Sequence, residues 1–240
     1  MDSEGVDLLT FKSIFEKGNL FASGCAVDYA SSLIVAKPPN GANGSAEGSE
    51  VLCGKQSLAS KIPLGMRIPS HKILNQADAR PWHLQERLPS SGAWRLLVFA
   101  GDILDPVQFA RYESLGKALA SPGGLIQKYK LPEALNGLET LVEIITIHSS
   151  PRVKVELPYI PEIFHPFSAE YGWDYEKIFV DDQSYHEGHG KAYENYGIDP
   201  RSGALVIVRP DQYVSWIGDL NDVSDIERFF SRVIKVQTAI

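Results

Sequence analysis

Between Tyr185 and Gly190 the chain reads YHEGHG, inside the run FVDDQSYHEGHGKAYENYG, which gathers two histidines, several acids and three tyrosines. An imidazole titrates near neutral pH without special help, so His186 or His189 could move a proton, and tyrosines could hold a developing oxyanion. The candidate catalytic set is therefore His186, His189, Tyr185, Tyr193 and Asp182, with Tyr196 as a further hydrogen-bond donor. No nucleophile is identifiable beside them. As metal ligands the two histidines stand three apart, with Asp181, Asp182 or Glu187 as a third donor. Gly188 and Gly190 work against the helix that would align them, and the zinc-protease pattern needs a spacing of four. No metal is assigned. The competing reading is a hydrogen-bonded loop, and it is favoured because nothing in the sequence indicates a pocket.

His148 closes the apolar run LVEIITIHSS, and Arg152 follows it, at a place where α/β proteins set ligand contacts beyond the carboxyl ends of strands. A strand-end cap and a surface ion pair are the plain alternative. Trp82, Trp94, Trp173 and Trp216 are expected to anchor packing.

These residues need a scaffold, and the order of elements supplies one. WRLLVFAGD at 94–102 reads as a buried strand and Pro106 to Ala120 as a helix; LVEIITIHSS at 141–150 is a second strand, with LPEALNGLE before it as a short helix or loop. EKIFVDD at 176–182 suggests a third strand, and Ala204–Val208 with Tyr213–Ile217 a hairpin turning at 209–212. The final helix carries Ile226, Phe229, Phe230, Val233 and Ile234 at helical spacing, with Ser224 and Glu227 as a capping box. Strand, helix, strand, hairpin and helix predict an α/β thioredoxin-like fold, a central mixed sheet flanked by helices.

An N-terminal helical and extended extension precedes this domain. Leu8, Phe11, Ile14 and Phe15 share one side of a helix over 7–17 that Gly18 would cap, and YASSLIVA follows as a strand or buried stretch. The Gly, Asn, Ser and Pro content of KPPNGANGSAEGSE marks a flexible segment. The expected division is 1–36 extension, 37–64 linker and 65–240 domain.

Composition narrows the function. With 240 residues, 44% of them apolar, the chain can build a real core, and a net charge of -7 with dispersed Lys and Arg argues against gripping nucleic acid. Apolar runs such as ALVIV at 204–208 are too short for a membrane span, and the acidic start MDSEGVDLL is no secretory signal, so the cytoplasm is expected. A redox thiol would sit just after the first central strand; that turn reads GDILDP, and Cys25 and Cys53 lie well before it. The glycines near Lys55 fit no P-loop, and no dinucleotide fingerprint occurs, so no cofactor is assigned.

The segments ADARPWHLQERLPSSGAWRLLVFAGD, YIPEIFHPF and YEKIFVDDQSYHEGHGKAYENYGIDPRSGALVIVRPDQYVSWIGDL resemble the C-terminal thioredoxin-like domain of the flavin-dependent phenol hydroxylases (phenol 2-monooxygenases), over about residues 65–235. Residues 7–36 look like the segment that leads from their flavin and substrate domain into this one. The resemblance implies a thioredoxin fold without its cysteine pair, used for subunit association, with YHEGHG as part of the common framework. The flavin- and phenol-binding portions have no counterpart here, so the chain is expected to be either an excised piece or a free-standing descendant.

Two functions follow as expectations. One is a redox-inactive association module that forms a homodimer or partners a flavin-dependent monooxygenase. The other is a cofactor-independent enzyme of isomerase or cyclase type, acting on a small phenolic or quinonoid ligand through the His and Tyr residues above.

Overall fold

The computed structural model describes residues 7–38, 52–135, 138–185 and 190–235. In chain order the elements are α1 (Leu8–Ala22), β1 (Lys72–Asn75), β2 (Pro81–His83), β3 (Trp94–Gly101), α2 (Pro106–Ala120), α3 (Leu125–Lys128), β4 (Lys130–Leu135), β5 (Leu138–Thr140), β6 (Val142–His148), β7 (Phe167–Ser168), β8 (Gly172–Trp173), β9 (Ile178–Val180), α4 (Ala192–Tyr196), β10 (Ala204–Val208), β11 (Val214–Gly218) and α5 (Val223–Val233). Seven strands form one sheet in the order β11-β10-β3-β6-β9-β1-β2. The neighbours β3, β6 and β9 run parallel, and β10 and β11 return antiparallel on one side. This is the expected thioredoxin-like α/β arrangement, extended by β1 and β2 on the other edge.

The central strands are apolar along their whole length because both faces are covered. Leu96, Val98, Ile144, Leu205 and Trp216 pack toward Tyr112, Leu115, Phe164 and Phe229 of one layer. Leu97, Phe99, Ile145, Ile147 and Phe179 point the other way, toward Ile62, Tyr193 and Tyr196. Each such fully buried side chain contributes about 1.5–3 kcal/mol. α2 begins where expected: Pro106 opens it, and Asp105 accepts the N–H groups of Val107 at 2.8 Å and Gln108 at 3.0 Å.

Several elements differ from expectation. α1 runs through Gly18 to Ala22, and Gly24 at φ 71° takes the left-handed position that Gly18 was expected to fill. YASSLIVA forms no strand beyond an isolated bridge between Ser32 and Val35, but its end is buried at Val35 and Ala36, and the Ala36 N–H donates to the Ser215 carbonyl at 2.8 Å. The segment LPEALNGLE contributes to the hairpin β4–β5. α5 starts at Val223 behind Asp222, so Ser224 already lies inside the helix and no capping box forms there. Residues 52–64, placed in a linker by composition, bury Ala59, Ile62 and Leu64 against the sheet, and the amide of Lys55 bonds Ile217 at 2.7 Å. None of the described helices is long and apolar enough to cross a membrane.

Candidate functional site

The carboxyl ends of β3, β6 and β9 meet where a thioredoxin-like fold can present reactive groups. The turn after β3 holds Asp102, Ile103, Leu104 and Asp105, and its carboxylates are committed. Asp102 Oδ1 accepts the Ser150 hydroxyl at 2.6 Å and the Leu104 N–H at 3.1 Å, while Asp105 caps α2. Both cysteines lie elsewhere in the chain, Cys25 half-buried and Cys53 exposed.

His148, at the end of β6, is fully buried. Its Nε2 lies 3.0 Å from Gln76 Oε1. The Gln76 amide donates to the carbonyls of Arg152 at 3.0 Å and Val155 at 2.8 Å, so Oε1 is the acceptor and His148 carries its proton on Nε2. Nδ1 is then a lone-pair nitrogen, buried and without a partner among the described residues. Burial pushes the imidazole down to about 4, against the pull of the Asp182 and Asp102 carboxylates, so the ring is neutral near pH 7. Sequence reasoning placed His148 and Arg152 here but missed Gln76, which comes from the turn after β1, 72 residues away in the chain.

Of the residues singled out in the sequence, those described are held in separate hydrogen-bonding roles or lie exposed. His186 and His189 lie outside the described residues. Tyr185 is 95% exposed, beside that segment. Tyr193 is buried in α4, where its hydroxyl accepts the Gly101 N–H at 2.8 Å and donates to the Ile147 carbonyl at 2.7 Å. Burial raises that hydroxyl well above its ordinary range. The Asp182 carboxylate accepts the amides of Arg152 at 2.9 Å and Gln183 at 2.7 Å. Asp181 accepts the amides of Ala192 and Tyr193, each at 2.8 Å, and so caps α4. Tyr196 donates to the Pro69 carbonyl at 2.9 Å. No group of three or more metal-ligating side chains occurs among the described residues. The strand ends thus hold a neutral buried base inside a network of satisfied carboxylates.

Over 228 residues the chain is 36% identical to the FAD-dependent monooxygenase terD of Aspergillus terreus, which covers 95% of this chain and 34% of that protein. It is equally similar, 36% over 220 residues, to phenol 2-monooxygenase fsqG of Aspergillus fumigatus, with 92% of this chain and 33% of that one covered. A solved structure of the flavin-dependent monooxygenase PieE with FAD and substrate superposes with a TM-score of 0.45 at 15% identity, over 94% of this chain and 28% of that one. The chain therefore spans about a third of the length of the curated relatives it matches. Residues 27–238 match the family described as phenol hydroxylase, C-terminal dimerisation domain, and the chain belongs to that family.

Proposed function

We propose that this chain is an association module without thiol chemistry, one that pairs with a second copy and presents α1 to a flavin-dependent monooxygenase polypeptide. The observation that carries this reading is α1 itself. None of its residues is buried. Leu8, Phe11, Ile14, Phe15 and Phe21 are each 59% exposed or more. At 100° per residue these five lie within one arc of the helix, and Val27, Tyr29 and Leu33, which follow in the chain, are also exposed. An isolated helix of 15 residues is marginal in water, so a packing partner for this face is the economical explanation of its composition. The family's description as a dimerisation domain and the monooxygenase names of the relatives support the identity of the partners.

Among the described residues, the turn between β3 and α2 does not fit the pyrophosphate of a flavin. At the strand-to-helix turn where an α/β fold receives a pyrophosphate, the N–H groups of Val107 and Gln108 are taken by Asp105, whose negative charge would also repel a phosphate. The turn at 102–105 has carboxylates where dithiol exchange needs a thiolate, which supports a redox-inactive role.

The test is capture of a flavin-dependent monooxygenase by the wild-type chain and by Phe11→Asp/Phe15→Asp. Both phenylalanines are exposed, so the variant should keep the wild-type circular dichroism spectrum while losing capture. Equal capture by both chains would refute the role of α1.

A further inference from the structure

Both edges of the seven-stranded sheet are guarded against pairing with another chain. At β11 the Val214 N–H donates to the Met66 carbonyl and the Val214 carbonyl accepts the Gly65 N–H, each at 2.9 Å. Farther along, the Ser215 and Ile217 carbonyls accept the N–H groups of Ala36 at 2.8 Å and Lys55 at 2.7 Å. The chain's own earlier segments occupy this edge.

At the other edge, Arg80 and Leu84 turn their backbones toward β1 and its approach: the Asn75 N–H donates to the Arg80 carbonyl at 2.9 Å and the Leu84 N–H to the His71 carbonyl at 3.0 Å. By the alternation of an antiparallel ladder, Pro81 and His83 face outward. Pro81 has no N–H, and His83 gives its own to Glu86 Oε2 at 2.9 Å. The pairing of two copies is left to side-chain surfaces.

Away from α1, the rings of Tyr159, Phe167, Tyr171 and Trp173 gather on one surface, 72%, 55%, 80% and 42% exposed. Trp173 and Tyr175 line both a cleft of about 690 Å³ and one of about 400 Å³, so they form a ridge between the two. Phe167 and Tyr171 border the larger cleft, Tyr159 and Phe109 the smaller. Trp173 meets Phe167 and the buried His165 edge to face, each at 5.2 Å, and His165 donates from Nε2 to the Ile160 carbonyl at 2.8 Å. The ridge is held in place before anything covers it.

Most acids bordering the clefts are already answered: Glu113 by Lys117 at 2.9 Å, Glu143 by Arg95 at 2.9 Å, Asp174 by Lys177 at 4.0 Å, and Glu176 by Arg87. Like copies therefore repel one another little here. Asp78 and Glu162, the exposed acids left over, suit a polar rim around an apolar centre. Rings of roughly 150–250 Å² each, exposed to these extents, offer about 500 Å² per copy, the greater part of the roughly 800 Å² that a stable interface buries on each partner. An aromatic patch of that extent is the mark of an interaction surface.

We infer that this aromatic surface is where two copies of the chain meet, the ridge of Trp173 and Tyr175 on each seating in a cleft of the other about a two-fold axis. A ridge beside a cleft can match itself under such an axis, as an isologous interface requires. The family's description as a dimerisation domain supports a second copy as the occupant. The inference rests on the association reading and adds its location, which leaves α1 for the monooxygenase.

Sedimentation equilibrium of the whole chain at tens of micromolar is the test. Tyr159→Asp/Phe167→Asp puts charge on two exposed rings and should keep the wild-type circular dichroism spectrum, while the dimer dissociation constant rises at least tenfold. Phe11→Asp/Phe15→Asp should stay as dimeric as the wild type. In the wild type itself, amide exchange across 157–175 should slow between about 1 and about 100 µM as copies associate. A monomeric wild type would overturn the association reading and this surface with it. A dimer that Tyr159→Asp/Phe167→Asp leaves intact, or exchange in 157–175 that ignores concentration while the mass doubles, would overturn this surface alone. So would dissociation by Phe11→Asp/Phe15→Asp with the ring variant still paired.

Discussion

Tyr193 accepts the backbone N–H of Gly101 at 2.8 Å, at the point where β3 slips its register against β6. Its own proton goes to the Ile147 carbonyl at 2.7 Å, so one side chain bridges two neighbouring strands where their ladder is interrupted. Tyr193→Phe would leave a buried donor and a buried acceptor unanswered. A loss of about 3 kcal/mol in urea unfolding is expected, with an unchanged m-value. A loss below about 0.5 kcal/mol would show that water reaches these groups.

His148 makes stability depend on pH. Its folded value of about 4 lies below the ordinary imidazole value of 6.5, so the unfolded chain binds the proton more readily. The contribution is complete above about pH 6.5 and is lost as pH falls toward 4. Between pH 7.5 and 5 this single group is expected to cost about 2 kcal/mol. Denaturant midpoints for wild type and His148→Gln over that interval check it, and the variant should fall less by about that amount. Parallel pH slopes in the two proteins would contradict the assignment.

Arg95 places a guanidinium almost wholly out of solvent, 1% exposed, against Glu143 at 2.9 Å. It also donates to the Ala93 carbonyl at 2.9 Å and to Ser91 Oγ at 2.8 Å. Removing the carboxylate leaves a buried cation with neutral acceptors only, so Glu143→Gln is expected to lose about 3 kcal/mol. Replacing both partners, as Arg95→Met/Glu143→Leu, should recover most of that loss because the desolvated charge disappears with its partner. Thermal unfolding of the single and double variants distinguishes these outcomes.

The parts of this fold that were legible in the sequence are those with local causes. Asp105 and Pro106 announce α2, and the unbroken apolar run at 94–101 announces a strand covered on both faces. Gly18 misled because a glycine inside a helix and one at its end look alike in sequence, and the left-handed turn falls at Gly24. β1 and β2 are short, and no periodicity marks them. The pairing of His148 with Gln76 has no local trace at all, since a contact across 72 residues is made by the fold. Tyr193 was visible as a chemical group, while its burial between Gly101 and Ile147 depends on how α4 lies on the sheet.

The most direct test of the account is the solution mass of this chain at tens of micromolar, measured by sedimentation equilibrium alone and with a flavin-dependent monooxygenase. A species of twice 26.5 kDa is expected for the chain alone, with a larger complex when the monooxygenase is added. A mass of 26.5 kDa under both conditions would contradict the claim that this chain works by association.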